Sequence, residues 1–255
     1  MNQIILLAAI FIASADMIFD FSPWIMVVYA ILCLISIKLK NTAQIHGLVL
    51  IFLFKLFPFL NLILFPTLNF WLPIIASTLL LLPFWSIRYR AFSWAKIGKI
   101  DRTTWDLVGI TIPLSTAALI TWAYFADYLG FGEEMIRPFL GISPWVLFGL
   151  IGPGFALLNA CAEEFFFRGI IQESLNSIMK NKYFVITIQA IFFAAAHFKA
   201  GFPNGVIGFF MVFGWGAVIG YMRQRTAGLL APVITHVAAD IIIFTTLGIL
   251  ASTTV

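Results

Sequence analysis

Two adjacent carboxylates and an arginine interrupt an apolar stretch at Ala162-Glu163-Glu164-Phe165-Phe166-Phe167-Arg168-Gly169. Further along stand Phe193-x-x-x-His197 and His236-x-x-x-Asp240. A carboxylate beside an imidazole makes a general-base pair that can activate water, and further donors can hold a developing oxyanion. Each group also has a structural explanation. Glu164 and Arg168 are i, i+4 and can pair, with Glu163 rotated by about 100° to face elsewhere. His197 can be a packing residue beside Phe193, and His236 with Asp240 a pair between helices. Together they favour chemistry, because the chain has 3 histidines and two of them are here.

Such side chains are costly in their setting, about 2.5–3.5 kcal/mol each on insertion scales. The chain has 255 residues, 62% apolar and 10% charged, with a mean hydropathy of +1.03. A soluble domain carries about a quarter charged residues, which excludes a soluble protein; the apolar content excludes a disordered chain, and two cysteines, Cys33 and Cys161, exclude a disulfide scaffold. Apolar runs fall near 3–19, 21–37, 46–65, 70–87, 105–128, 143–167, 183–198, 205–222 and 227–250. They are long and lack the period-2 alternation of barrel strands. The expectation is an all-α, polytopic transmembrane helical bundle of eight or nine spans, a single membrane domain over 1–255 with its catalytic core in 140–245. The first pair of runs is interrupted by Asp16 and Asp20. Met1-Asn2-Gln3 has no basic n-region, so the first run is expected to be retained as a span.

Glu163 and His197 can lie at nearly the same depth of a helical hairpin that turns near Lys180 and Lys182, about 25 Å down one helix and 21 Å up the next. Tilt would bring His236 within reach. The net charge of +4 does not imply nucleic acid as a partner. The basic residues flank apolar runs, and with Lys38 and Lys40 inside, most of the others (Arg88, Arg90, Lys96, Lys99, Arg102, Lys180, Lys182, Arg223 and Arg225) fall on the same side, which favours a cytoplasmic N-terminus. Arg137, Lys199, Glu133 and Glu134 fall opposite, and Lys55 lies inside a span. Trp24, Trp71, Trp85, Tyr89, Trp105, Trp122, Tyr124, Trp145 and Tyr183 suit an interfacial belt. Pro58, Pro73, Pro83 and Pro153 are expected to kink or start helices, and His46 to sit at a span edge in an interfacial role.

The ordered set Glu-Glu-x-x-x-Arg, Phe-x-x-x-His and His-x-x-x-Asn/Asp resembles the CAAX protease and bacteriocin-processing (CPBP, or Abi) family of intramembrane proteases, to which the type II CAAX prenyl endopeptidase belongs. The resemblance covers about residues 140–245. It implies a peptide-bond hydrolase acting inside the membrane on a peptide or lipidated protein, in contact with membrane lipids. By motif position, Glu163 would be the catalytic carboxylate that activates water with His197. His236 and Asp240 would occupy the oxyanion positions, Glu164 and Arg168 would support, and Phe193 would pack. Asp240 departs from the asparagine often found there. An ionised aspartate cannot donate to an oxyanion, so either burial keeps Asp240 protonated or it orients His236 by accepting a hydrogen bond, and the orienting role is the expectation. No cofactor is favoured. Zinc is the alternative, held by Glu163, His197, His236 and Asp240, although no His-Glu-x-x-His pattern is present.

Charge topology places Glu163 and His197 in the outer half, whereas a prenyl endopeptidase works on cytosolic substrates. A break at Gly169 or an inverted topology would reconcile the two. The competing functions are a non-catalytic immunity or chaperone-like membrane protein on the same scaffold, and a proton-coupled transporter, for which Glu, His and Asp within a membrane also suit.

Overall fold

The computed structural model describes residues 2–19, 25–37, 42–59, 97–99, 101–128, 143, 146–200 and 202–253. The apolar run at 70–87, most basic residues placed between runs before Ile97, and Glu133, Glu134 and Arg137 lie outside these residues. The described elements are α1 (Asn2–Phe19), α2 (Ile25–Ile37), α3 (Thr42–Phe59), α4 (Arg102–Tyr128), a first π segment (Leu147–Ile151), α5 (Gly152–Glu163), a second π segment (Glu164–Ile171), α6 (Gln172–Asn176), α7 (Lys182–Ala200), α8 (Gly205–Thr226) and α9 (Leu230–Thr253). Among the described residues there is no strand. This is the all-α class that continuous apolar runs dictate, because a helix satisfies its own backbone where lipid offers no partner.

Arg102–Phe125, Phe148–Asn176 and Gly205–Thr226 are long and apolar enough to cross a membrane, and Ile4–Phe19, Ala43–Phe54 and Leu230–Thr246 are shorter apolar helices. Large apolar side chains such as Phe11, Leu114, Leu150 and Phe210 are exposed along them. In water such surfaces would drive association, whereas in a bilayer they meet lipid. The protein is an integral membrane protein.

The chain forms two compact units, one of Met1–Lys96 with Phe165–Gly220, the other of Ile97–Glu164 with Tyr221–Val255. In the first unit α1 packs along α7 and α3, α2 along α3, and α6 against α3 and α7. The approach of α3 to α6 is close. A Cβ on Gly47 would come within 2.7 Å of Ser174 Oγ, and the Ser174 hydroxyl lies against the carbonyls of Ala43 and Ile170. His46, expected in an interfacial role, is therefore buried inside α3's packing surface. Phe54, Phe166, Phe167, Phe192 and Phe193 form a continuous aromatic core, with Phe166 and Phe167 rings 4.5 Å apart. Such pairs add about 0.5–1.5 kcal/mol each beyond the area they bury. Asn181 caps α7, its Oδ1 accepting from the backbone N–H groups of Tyr183 and Phe184 at 3.0 and 3.2 Å.

In the second unit α9 packs along α5 and α4. Asp101 caps α4, with Oδ1 accepting from both the Thr104 N–H and the Thr104 hydroxyl at 2.8 Å. The turn between α8 and α9 is clamped by residues 97–99. Lys99 N–H donates to the Thr226 carbonyl at 2.7 Å and Leu230 N–H to the Ile97 carbonyl at 3.2 Å. Between those bonds the backbones of Gly98 and Gly228 touch, leaving no room for a Cβ on either. Ala227 ends α8 in the left-handed region at φ 52°, the conformation that closes many helices.

Candidate active site

In the second unit α5 and α9 run antiparallel and meet in three rungs, one helical turn apart on each helix. Phe155 faces Phe244 with ring centroids 4.8 Å apart. Asn159 faces Asp240, its Nδ2 donating to Oδ2 at 3.1 Å. Glu163 faces His236, with Oε2 3.7 Å from Nε2. The i, i+4 repeat that puts His236 and Asp240 on one face of α9 does the same for Asn159 and Glu163 on α5. Local sequence marks the start of α5. Pro153 stands where the first π segment passes into α5, and within a continuous helix a proline removes one N–H from the backbone ladder. At the other end α5 gives way at Glu164 to a π segment, a wider turn that is frequent at functional sites.

The His236 imidazole is the centre of the cluster. Its Nδ1 donates to Glu164 Oε1 at 2.7 Å, a length typical of a charge-assisted bond. Its Nε2 stands 3.7 Å from both Glu163 Oε2 and Asp240 Oδ1. Adjacent carboxylates diverge around a helix, as expected. They nevertheless serve one ring, because its two nitrogens project from different edges. Glu164 thus supplies the orienting bond to His236 that the sequence suggested for Asp240, and Asp240 in turn is held by Asn159. Glu164 is completely buried, and the side chains of His236, Asp240 and Glu163 are 6%, 9% and 13% exposed. Such burial is tolerated only for polar groups that pair with one another.

This arrangement has a chemical consequence. A carboxylate oxygen only accepts, so the short bond to Glu164 places a hydrogen on Nδ1. Nε2 is left as the nitrogen that takes up or gives back a proton on the side of Glu163 and Asp240.

The other motif residues belong to the first unit. Arg168 is fully buried, with its guanidinium carbon 4.3 Å from the centre of the Phe193 ring. Its Nη2 donates to the Gly216 carbonyl at 3.4 Å. One turn on, Gln172 Nε2 donates to the Gly220 carbonyl at 2.9 Å. These contacts need glycine in α8, since a Cβ at Gly216 would lie 3.0 Å from Phe193 Cδ1 and one at Gly220 2.8 Å from Gln189 Oε1. The His197 ring lies on the other neighbour of Phe193, with centroids 4.5 Å apart, and its Nδ1 bonds the Phe193 carbonyl at 2.9 Å. A carbonyl also only accepts, so Nδ1 carries hydrogen here too. Phe193 packs against both Arg168 and His197.

Of the residues singled out in the sequence, Glu163, Glu164, His236 and Asp240 come together in the second unit, and Arg168, Phe193 and His197 in the first. Asn159 went unnoticed. The signal was present, since an amide one turn before Glu163 occupies the same face of an apolar helix. Among the described residues no group of three or more His, Cys, Asp or Glu side chains is arranged to hold a metal ion.

Buried glutamate, histidine and aspartate on antiparallel apolar helices define an all-α membrane protein with a polar centre. Residues 144–242 match the family model described as type II CAAX prenyl endopeptidase Rce1-like. The matched segment takes in both the Glu163–His236 cluster and the Arg168–Phe193–His197 group, so it is this part of the chain that is similar to a protease family. No curated protein and no solved structure matches the chain.

Proposed function

We propose that this protein is an intramembrane endopeptidase that hydrolyses a peptide bond in a membrane-associated or lipidated substrate. Glu163 acts as the general base on water, and His236, oriented by Glu164, exchanges a proton through Nε2 and stabilises the oxyanion. The observation that carries this reading is the His236 ring bonded at 2.7 Å to Glu164 with its other nitrogen facing Glu163, inside the segment that matches the Rce1-like family. The family's description points to the C-terminal tail of a prenylated CAAX protein as the substrate class. His197 enters through its sequence motif as a second proton-handling residue. The distribution of basic residues favours a cytoplasmic N-terminus.

The test is cleavage of a farnesylated CAAX peptide by purified protein in detergent. Wild type cleaves it. Glu163→Gln, Glu163→Ala and His197→Ala each lose at least about 100-fold in kcat, the scale of a removed general base, and still elute as folded protein. Normal cleavage by Glu163→Gln would overturn the mechanism, and full biological activity of that variant without cleavage would favour a non-catalytic role.

A further inference from the structure

The three rungs between α5 and α9 differ in kind. The outer one is aromatic, and the Glu163 rung belongs to the proposed reaction. The middle rung, Asn159 with Asp240, has no role yet, and Asn159 appears in none of the sequence motifs. We infer that Asn159 is a positioning residue, holding the Asp240 carboxylate in register with His236 Nε2 so that His236 keeps its place beside Glu163. The inference rests on the proposed hydrolytic role of Glu163 and His236 for its kinetic consequence, but not for its structural one.

Three observations support it. Asn159 Nδ2 donates to Asp240 Oδ2 at 3.1 Å, while the other oxygen, Oδ1, is the one 3.7 Å from His236 Nε2. The amide thus fixes the carboxylate rotation that presents Oδ1 to the ring. Asn159 sits one turn from Glu163 on the same helix face, so a single element sets the spacing of both rungs. Finally, the centre gathers the carboxyl groups of Glu163, Glu164 and Asp240 about one imidazole. A lysine or histidine at position 159 would join the proton exchange, and an aspartate would add to the repulsion. An amide donates a bond without taking or releasing a proton.

The test is a double-mutant cycle on the full-length protein in detergent, read in two ways. In the first, cleavage of the farnesylated CAAX peptide is measured for wild type, Asn159→Ala, Asp240→Ala and the double variant. Loss of a hydrogen bond to a charged group predicts a kcat roughly ten- to a hundredfold lower for Asn159→Ala with KM within about twofold. In the Asp240→Ala background, where Asn159 has lost its acceptor, the same substitution should cost far less, because coupled residues are not additive. In the second, the ring nitrogens of His236 are followed by 15N NMR in histidine-labelled protein, assigned by its loss in His236→Gln. Asn159→Ala should move the His236 ring signals and leave those of His46 in place. Unchanged His236 signals with unchanged kcat would overturn the inference, as would equal kcat losses in both backgrounds. Should wild type cleave nothing, the hydrolytic reading fails on its own. The His236 signals then decide the Asn159 role alone, a shift upholding it and no shift overturning it.

Discussion

His236 Nδ1 donates to the Glu164 carboxylate at 2.7 Å, and that carboxylate is completely sealed from solvent. Glu163, its neighbour in the chain, is the more exposed of the two and stands 3.7 Å from the opposite nitrogen. One carboxylate therefore holds the ring, and the other is the one proposed as the base. The two should separate on mutation. Glu164→Gln weakens a buried charge-assisted bond and should lower the unfolding free energy by about 1.5–3 kcal/mol, with a fall in kcat as His236 loses its anchor. Glu163→Gln should leave thermal unfolding in detergent within about 1 kcal/mol of wild type, since its contact to His236 is the longer of the two, 3.7 Å against 2.7 Å, while removing activity. Equal thermal shifts in the two variants would contradict this division of labour.

A metal requirement gives a different signature. With Glu163 as the base, cleavage in the presence of EDTA or 1,10-phenanthroline should stay within about twofold of the untreated rate, because a carboxylate base needs no Lewis acid to accept a proton. Loss of activity in chelator, restored by added zinc, would instead assign Glu163, His236 and Asp240 to a metal.

The fold class and the inventory of unusual side chains were both legible from one physical fact. Charge is too expensive in lipid to be placed without reason, so the few intramembrane carboxylates and histidines stood out. Their pairings were less legible. Glu164 makes a short bond to His236, far along the chain. The choice depends on which helix packs against α5, which periodicity does not specify. Asn159 was hidden for another reason. An amide costs less to bury than a charge, so it does not announce itself in an apolar run. The π segment from Glu164 to Ile171 was also unreadable, since the apolar pattern there suits an ordinary helix equally well. Gly216 and Gly220 look like plain span residues until Phe193 and Gln189 are seen against them.

The arginine of the first motif is tested by a substitution that keeps its charge. Arg168 stacks on Phe193 at 4.3 Å and reaches the Gly216 carbonyl at 3.4 Å, using the flat face and the fork of the guanidinium together. Lysine offers a point charge without a plane. Arg168→Lys should therefore destabilise by about 1–2 kcal/mol despite conserving charge, the scale of a desolvated cation–π contact. Scanning calorimetry or a thiol-reactive unfolding dye in detergent would read it. A variant as stable as wild type would mean that charge alone matters at this position.

Asp101 offers a pH-dependent test at a point outside the membrane-spanning helices. The Thr104 hydroxyl, then its backbone N–H, and Arg225 at 3.4 Å all favour the ionised carboxylate and hold its pKa below the usual carboxylate range. A group whose pKa is lower in the folded than in the unfolded protein stabilises the fold above its unfolded value, about 3.9 for aspartate. That contribution is lost as pH falls through the lowered folded value. Asp101→Ala should therefore melt below wild type at pH 7. The difference between the two should narrow steadily as the pH is taken below about 4, where wild type protonates the carboxyl that the variant lacks. Asp101→Asn keeps an acceptor for the Thr104 N–H but has no charge to offer Arg225. It should fall between the two at pH 7 and, unlike wild type, show no loss of its own from protonation at position 101. A gap between wild type and Asp101→Ala that stays constant from pH 7 to pH 3 would show that the cap acts through shape alone, without its charge.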